Sequence, residues 1–104
     1  MDIEKLKQIG GNEWKKGDYH RIYFGLDAMA ELIGLSLAFY NTGRVSSASL
    51  AGEAISNSEA TRILHGLDGR FWHDVVSGSW KQKGMSPRCA KMVKNAIEQK
   101  TKGE

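Results

Sequence analysis

The side chains best equipped for chemistry in this chain are three histidines, one cysteine and a scatter of aromatic and basic residues, and their spacing limits what they can do. His20, His65 and His73 stand 45 and 8 residues apart and Cys89 is alone, which matches neither a zinc pattern nor a CxxC motif. No metal or cofactor is expected. A nucleophilic Cys89 would need a histidine that meets it in space. One turn into a predicted helix, however, the ordinary role of a cysteine is a small buried side chain. Two histidines, His20 and His73, could serve as general base and acid in a small nuclease, with Arg70 or Lys81 meeting the charge at phosphorus, but only their availability supports this. The 12 glycines form neither GxGxxG nor GxxxxGK[ST] and fall where helices and strands end. The carboxylates are dispersed, so no pair is set up for glycoside chemistry. The expectation is a protein that binds rather than catalyses.

Binding chemistry concentrates in two places. In Arg70-Phe71-Trp72-His73-Asp74 and Trp80-Lys81-Gln82-Lys83, aromatic rings alternate with basic or polar groups, and Arg88, Lys91 and Lys94 follow. On a pleated strand Phe71, His73 and Val75 share one face and Trp72, Asp74 and Val76 the other. One face must cover the core, which leaves either Phe71 or Trp72 for solvent or a partner. An exposed ring beside Lys and Arg can stack on a base while the cations hold phosphates, or it can anchor a protein interface. The bland alternative is two core tryptophans with lysines that keep the surface soluble. The candidate partner-binding residues are therefore Arg70, Trp72, Trp80, Lys81, Lys83, Arg88, Lys91 and Lys94. On the last helix Lys91, Lys94 and Glu98 form an exposed stripe with one internal ion pair. The second place is the run from Trp14 to Phe24, where Arg21 and Tyr23 share the face opposite Ile22 and Phe24. That face is read as solvated, with recognition as the alternative.

The elements that position these residues follow from period and punctuation. Ile3, Leu6 and Ile9 predict a short helix ended by Gly10-Gly11. A polar stretch through Asp18 leads into a strand over 20–24. Leu26, Met29, Ala30 and Ile33 predict a second helix up to Gly34. Strands are expected over 35–40 and 45–50 as a hairpin, with a further short strand through Ile55. Ser56-Asn57-Ser58-Glu59 fits a reciprocal capping box opening a helix with Ala60, Ile63, Leu64 and Leu67 inward. Strands over 70–76 and 79–83 flank Ser77-Gly78. Ser86-Pro87 then opens a terminal helix lined by Ala90, Val93 and Ile97, and residues 101–104 are expected to fray. Hairpins without sustained β-α-β alternation indicate an α+β fold: one domain over residues 1–104, its antiparallel sheet covered on one face or at its ends by about four helices.

Composition agrees with such a fold. The 104 residues are 40% hydrophobic and 26% charged, enough for one core without a metal or disulfide staple. A single cysteine and the lack of a long apolar run predict a cytoplasmic protein, neither exported nor embedded in a membrane. Charge is uneven: residues 1–69 carry seven Lys/Arg against nine Asp/Glu, and residues 70–104 carry eight against three. The basic end suits a polyanion or acidic partner, and it equally suits a plain solvated face. An exposed hairpin edge would allow a dimer.

Trp14-x-Lys16-Gly17 leading into Arg21-Ile22-Tyr23-Phe24, the segment Gly52-Glu53-x-Ile55-Ser56-Asn57-Ser58-x-Ala60, and the aromatic-Asp hairpin around Trp72 and Asp74 together resemble small uncharacterised accessory proteins of phages, plasmids and integrated elements. The resemblance implies a non-enzymatic mobile-element protein, from a group that includes anti-CRISPR and other anti-defence inhibitors. The expected partner is then a host protein or nucleoprotein effector. The basic C-terminal third departs from inhibitors that mimic DNA with acidic surfaces. A direct DNA- or RNA-binding module is the alternative, and a small nuclease a third.

Overall fold

The computed structural model describes residues 2–102, so residues 103 and 104 of the segment expected to fray lie outside the described residues. In chain order the elements are α1 (Ile3–Gln8), β1 (Gly11–Lys16), β2 (Tyr19–Phe24), α2 (Leu26–Ile33), β3 (Leu35–Phe39), β4 (Val45–Leu50), β5 (Glu53–Ile55), α3 (Asn57–Gly66), β6 (Arg70–Asp74), β7 (Ser79–Lys83) and α4 (Pro87–Thr101). The α+β class is as expected, with four helices, but the strands form two antiparallel sheets: β1-β2-β6-β7 and β3-β4-β5.

The strand absent from the sequence reading is β1. Residues 12–16 are all exposed, since an edge strand with one solvated face has no apolar periodicity to betray it. Gly17-Asp18 turns the chain into β2, and Gly17 sits at φ +58°, where a side chain would strain the backbone. Lys16 then pairs with Tyr19 and Trp14 with Arg21. The two hairpins join through β2 and β6, where Tyr23 lies opposite Trp72 and Ile22 opposite His73.

One face of the four-stranded sheet carries the core through its apolar residues, which share that face with Glu13, Lys15, His20, His73 and Gln82. Ile22, Phe24 and Phe71 pack in one cluster with Leu6 of α1, Met29 and Leu32 of α2, Ile63 of α3, and Val93 and Ile97 of α4. Each fully buried aliphatic side chain contributes about 1.5–3 kcal/mol through removal from water. Ala90, Val93 and Ile97 are buried as the spacing predicted, and so is Cys89, whose thiol donates to the Ile63 carbonyl oxygen at 3.6 Å. The smaller sheet reaches this core through the partly buried Leu35, Leu50 and Ile55.

Local signals set the helix starts. Ser86 Oγ accepts the Cys89 N–H at 3.2 Å, with Pro87 in the first turn of α4. Ser56 Oγ accepts the Glu59 N–H at 3.1 Å, which is one half of the expected capping box. The Glu59 carboxylate takes Arg88 at 2.7 Å and Arg62 at 3.4 Å instead of closing the reciprocal bond, because charged donors outcompete a backbone amide. Gly66 is the last residue of α3, which caps at Leu67. It lets α3 approach α4: a Cβ there would stand 2.6 Å from Cys89 Sγ and 2.8 Å from Ser86 Oγ.

Candidate nucleic-acid interface

Pairing register assigns every strand residue of the larger sheet to a face, because residues directly opposite each other point the same way. The face away from the core carries Asn12, Trp14 and Lys16 of β1, Tyr19, Arg21 and Tyr23 of β2, Arg70, Trp72 and Asp74 of β6, and Ser79, Lys81 and Lys83 of β7. Four are aromatic and five are cationic, against the single carboxylate of Asp74. Sequence reasoning treated the two constellations separately; the β2-β6 pairing makes them one surface.

Arg21 is the centre of this surface. Its guanidinium carbon lies 5.0 Å from the Tyr19 ring centroid, 5.2 Å from Trp72 and 5.6 Å from Trp14. Its Nη1 donates to the Tyr23 hydroxyl at 2.7 Å, and that bond is the main cause holding its pKa above the usual arginine value. Cation–π stacking fixes the planar group against the rings and leaves the side chain half-buried. Tyr23 and Trp72 pack at 5.5 Å, and Tyr23 meets Trp14 edge-on at 6.3 Å. Among the described residues, Arg21 Nε and Trp72 Nε1 are shielded donors with no acceptor. The aromatic ground is thus continuous from β1 to β6, and the orphan atoms on it are donors.

Of the residues singled out from sequence, Arg70, Trp72, Lys81 and Lys83 come together on this surface. Phe71 is buried and Trp72 half-buried on the opposite face, which resolves the alternation. Trp80 is not brought there. It faces inward, stacked on Phe71 at 5.2 Å and 15° and lying 4.7 Å from His73. Arg88, Lys91 and Lys94 are exposed on α4, whose buried side joins the core, so they lie on the helical side of the sheet. Arg88 is held by Glu59.

Trp14, Lys16, Tyr19, Arg21 and Tyr23 are the surface residues missing from the sequence-based set. The signal that could have found them is the two-residue Gly17-Asp18 turn between Asn12-x-Trp14-x-Lys16 and Tyr19-x-Arg21-x-Tyr23. His20 and His73 share the covered face of the sheet, and each has its own local environment. His20 Nε2 is 2.6 Å from Glu13 Oε2, and that bond chiefly holds the Glu13 carboxyl below its usual pKa. His73 is buried at 5% exposure beneath Trp80. Among the described residues, no three of His, Cys, Asp and Glu converge as a metal site would require.

No protein-family model, curated protein or solved structure matches the chain.

Proposed function

We propose that this chain is a binding protein that engages single-stranded nucleic acid on the exposed face of its four-stranded sheet. The observation that carries the reading is the coincidence of four aromatic rings and five cations on one pleated face with one carboxylate. Rings at sheet spacing offer stacking planes to unpaired bases, and Lys and Arg among them meet the phosphates. A protein interface would also use Trp, Tyr and Arg, but its buried centre is depleted of lysine, whereas Lys16, Lys81 and Lys83 lie on this face. The resemblance to mobile-element proteins fits the same chemistry, since a strand held by a host nucleoprotein is as suitable a ligand as a free one.

The test is fluorescence anisotropy of labelled ten-nucleotide single strands of DNA and RNA between 50 and 200 mM salt. Binding should weaken steeply with salt, and Lys81→Glu with Lys83→Glu should cost roughly tenfold or more at low salt. Wild-type protein that leaves both strands free at 50 mM salt would sink the reading.

A further inference from the structure

The open edges of the two sheets are not alike. In the larger sheet β1 carries Glu13, Lys15 and Lys16, and β7 carries Lys81 and Lys83; in the smaller sheet β5 is three residues long and carries Glu53. Charge and shortness of this kind keep an open edge from pairing with another chain. β3, the remaining edge, has neither protection. Leu35-Ser36-Leu37-Ala38-Phe39 is five residues without a charge, Phe39 is 56% exposed, and Tyr40 after it is 60% exposed.

Hydrogen bonding fixes which backbone groups this edge offers. The Gly34 carbonyl oxygen accepts from the Ala51 N–H at 3.0 Å, and the Tyr40 N–H donates to the Arg44 carbonyl oxygen at 2.8 Å. Even-numbered residues thus turn their groups toward β4, and in an antiparallel ladder the residues between them turn theirs away. The irregularity at Ala38/Phe39 places its extra residue, Ser46, in β4, so β3 keeps its alternation. Leu35, Leu37 and Phe39 therefore each present an N–H and a C=O on the side where no strand pairs among the described residues.

We propose that β3 pairs antiparallel with β3 of a second copy of this chain, about a two-fold axis at Leu37, to make one continuous sheet. This register sets Leu37 opposite the partner's Leu37 and Leu35 opposite the partner's Phe39, so every outward residue meets an outward residue and about six hydrogen bonds close. A slip of one residue sets outward groups against inward ones. The side chains agree with the register. Leu35, Leu37 and Phe39 share a face with Ala48, Leu50 and Ile55, so the partner's Phe39 comes beside Leu35, which is half-buried against the core. Tyr40 falls opposite the partner's Gly34, which has no side chain to obstruct the ring. Gly34 is the C-cap of α2, whose last turn holds Glu31 and no basic residue, so this helix end is negative. Arg44, hydrogen-bonded to Tyr40 and in no ion pair among the described residues, stands two strand spacings or about 10 Å from the partner's Gly34, and its long side chain carries a positive charge toward that helix end. A foreign strand would have to supply this match, whereas a second copy has it by symmetry. The outer edges of the joined sheet are both β5, short and acidic, so pairing stops at two chains. The proposal is independent of the nucleic-acid reading, since β3 lies in the other sheet.

The test uses the full chain between about 20 µM and about 1 mM, with sedimentation equilibrium for mass and amide hydrogen exchange by NMR for the site. A short paired segment makes a small, weak interface, so the mass should rise from monomer toward dimer over that range. In the concentrated sample the amides of Leu35, Leu37 and Phe39 should exchange more slowly by roughly threefold or more, while those of Ser36 and Ala38, already bonded to β4, hold their rates. Arg44→Glu, a change in an exposed turn, should weaken association by roughly threefold or more. Wild type that stays monomeric at about 1 mM overturns the proposal and leaves the edge to a strand of another protein. A dimer in which the Leu35, Leu37 and Phe39 amides exchange as in the monomer is formed elsewhere on the molecule, and overturns it equally.

Discussion

His73 shows how a single side chain on the covered face can tie stability to pH. Its ring is 5% exposed, lies 4.7 Å from the Trp80 ring, and has no hydrogen-bond partner for Nδ1 among the described residues. Burial pushes its pKa down from the ordinary histidine value near 6.5, against a smaller upward pull from Asp74. The unfolded chain therefore takes up this proton first on acidification. Stability that is complete above about pH 6.5 is lost as the pH falls toward the folded pKa. Glu13, with its carboxyl held below 4.5 chiefly by the His20 bond, loses its contribution only at lower pH, so the two windows separate. Urea melts between pH 7.5 and 5 should show wild-type stability falling with acid, and His73→Phe should flatten that slope. Parallel slopes for both proteins would mean that His73 does not carry it.

At the scale of elements, the α3–α4 junction carries the tightest constraint. Ser86 caps α4, its N–H donates to the Gly66 carbonyl oxygen at 3.0 Å, and the Gly66 Cα faces Cys89 Sγ and Ser86 Oγ with no room for a methyl group. Ser86→Ala should cost about 1 kcal/mol through the lost cap, and Gly66→Ala about 1–3 kcal/mol, because overpacking must push the helices apart. Chemical denaturation of the two variants checks both, and a Gly66→Ala as stable as wild type would show that the junction relaxes freely. The same junction explains what was legible in the sequence. Ser86-Pro87, Ser77-Gly78 and the Ala90, Val93, Ile97 stripe act within a few residues of themselves; α4 starts where they indicated, and the β6-β7 hairpin forms, although β6 ends at Asp74 rather than Val76 and the loop spans residues 75–78. The edge strand β1 gave no apolar period. The β2-β6 pairing joins residues far apart in the chain, and no local pattern encodes such a contact. The candidate surface was accordingly visible as two separate runs, with Trp80 counted toward it because alternation alone does not say which face is covered.

At the scale of the whole molecule, the basic excess of the C-terminal third divides into two groups that the sheet separates. Arg70, Lys81 and Lys83 stand with Arg21 and Lys16 on the exposed face, while Lys91 and Lys94 lie on α4 beyond the core. A helix is itself about 10 Å across, so the outer side of α4 is more than one Debye length from the exposed face of the sheet at 0.1 M salt. Position rather than total charge should then govern binding. The double variants Lys81→Glu/Lys83→Glu and Lys91→Glu/Lys94→Glu change the net charge equally, each substitution replacing +1 by −1. The first should cost roughly tenfold or more in affinity for a ten-nucleotide single strand and lower the slope of log affinity against log salt by about 2. The second should stay within about twofold to threefold of wild type and keep its slope. Equal losses in the two variants would show that the helical side takes part in binding, and the ligand would then have to wrap around the sheet edge at β7 rather than lie across one face.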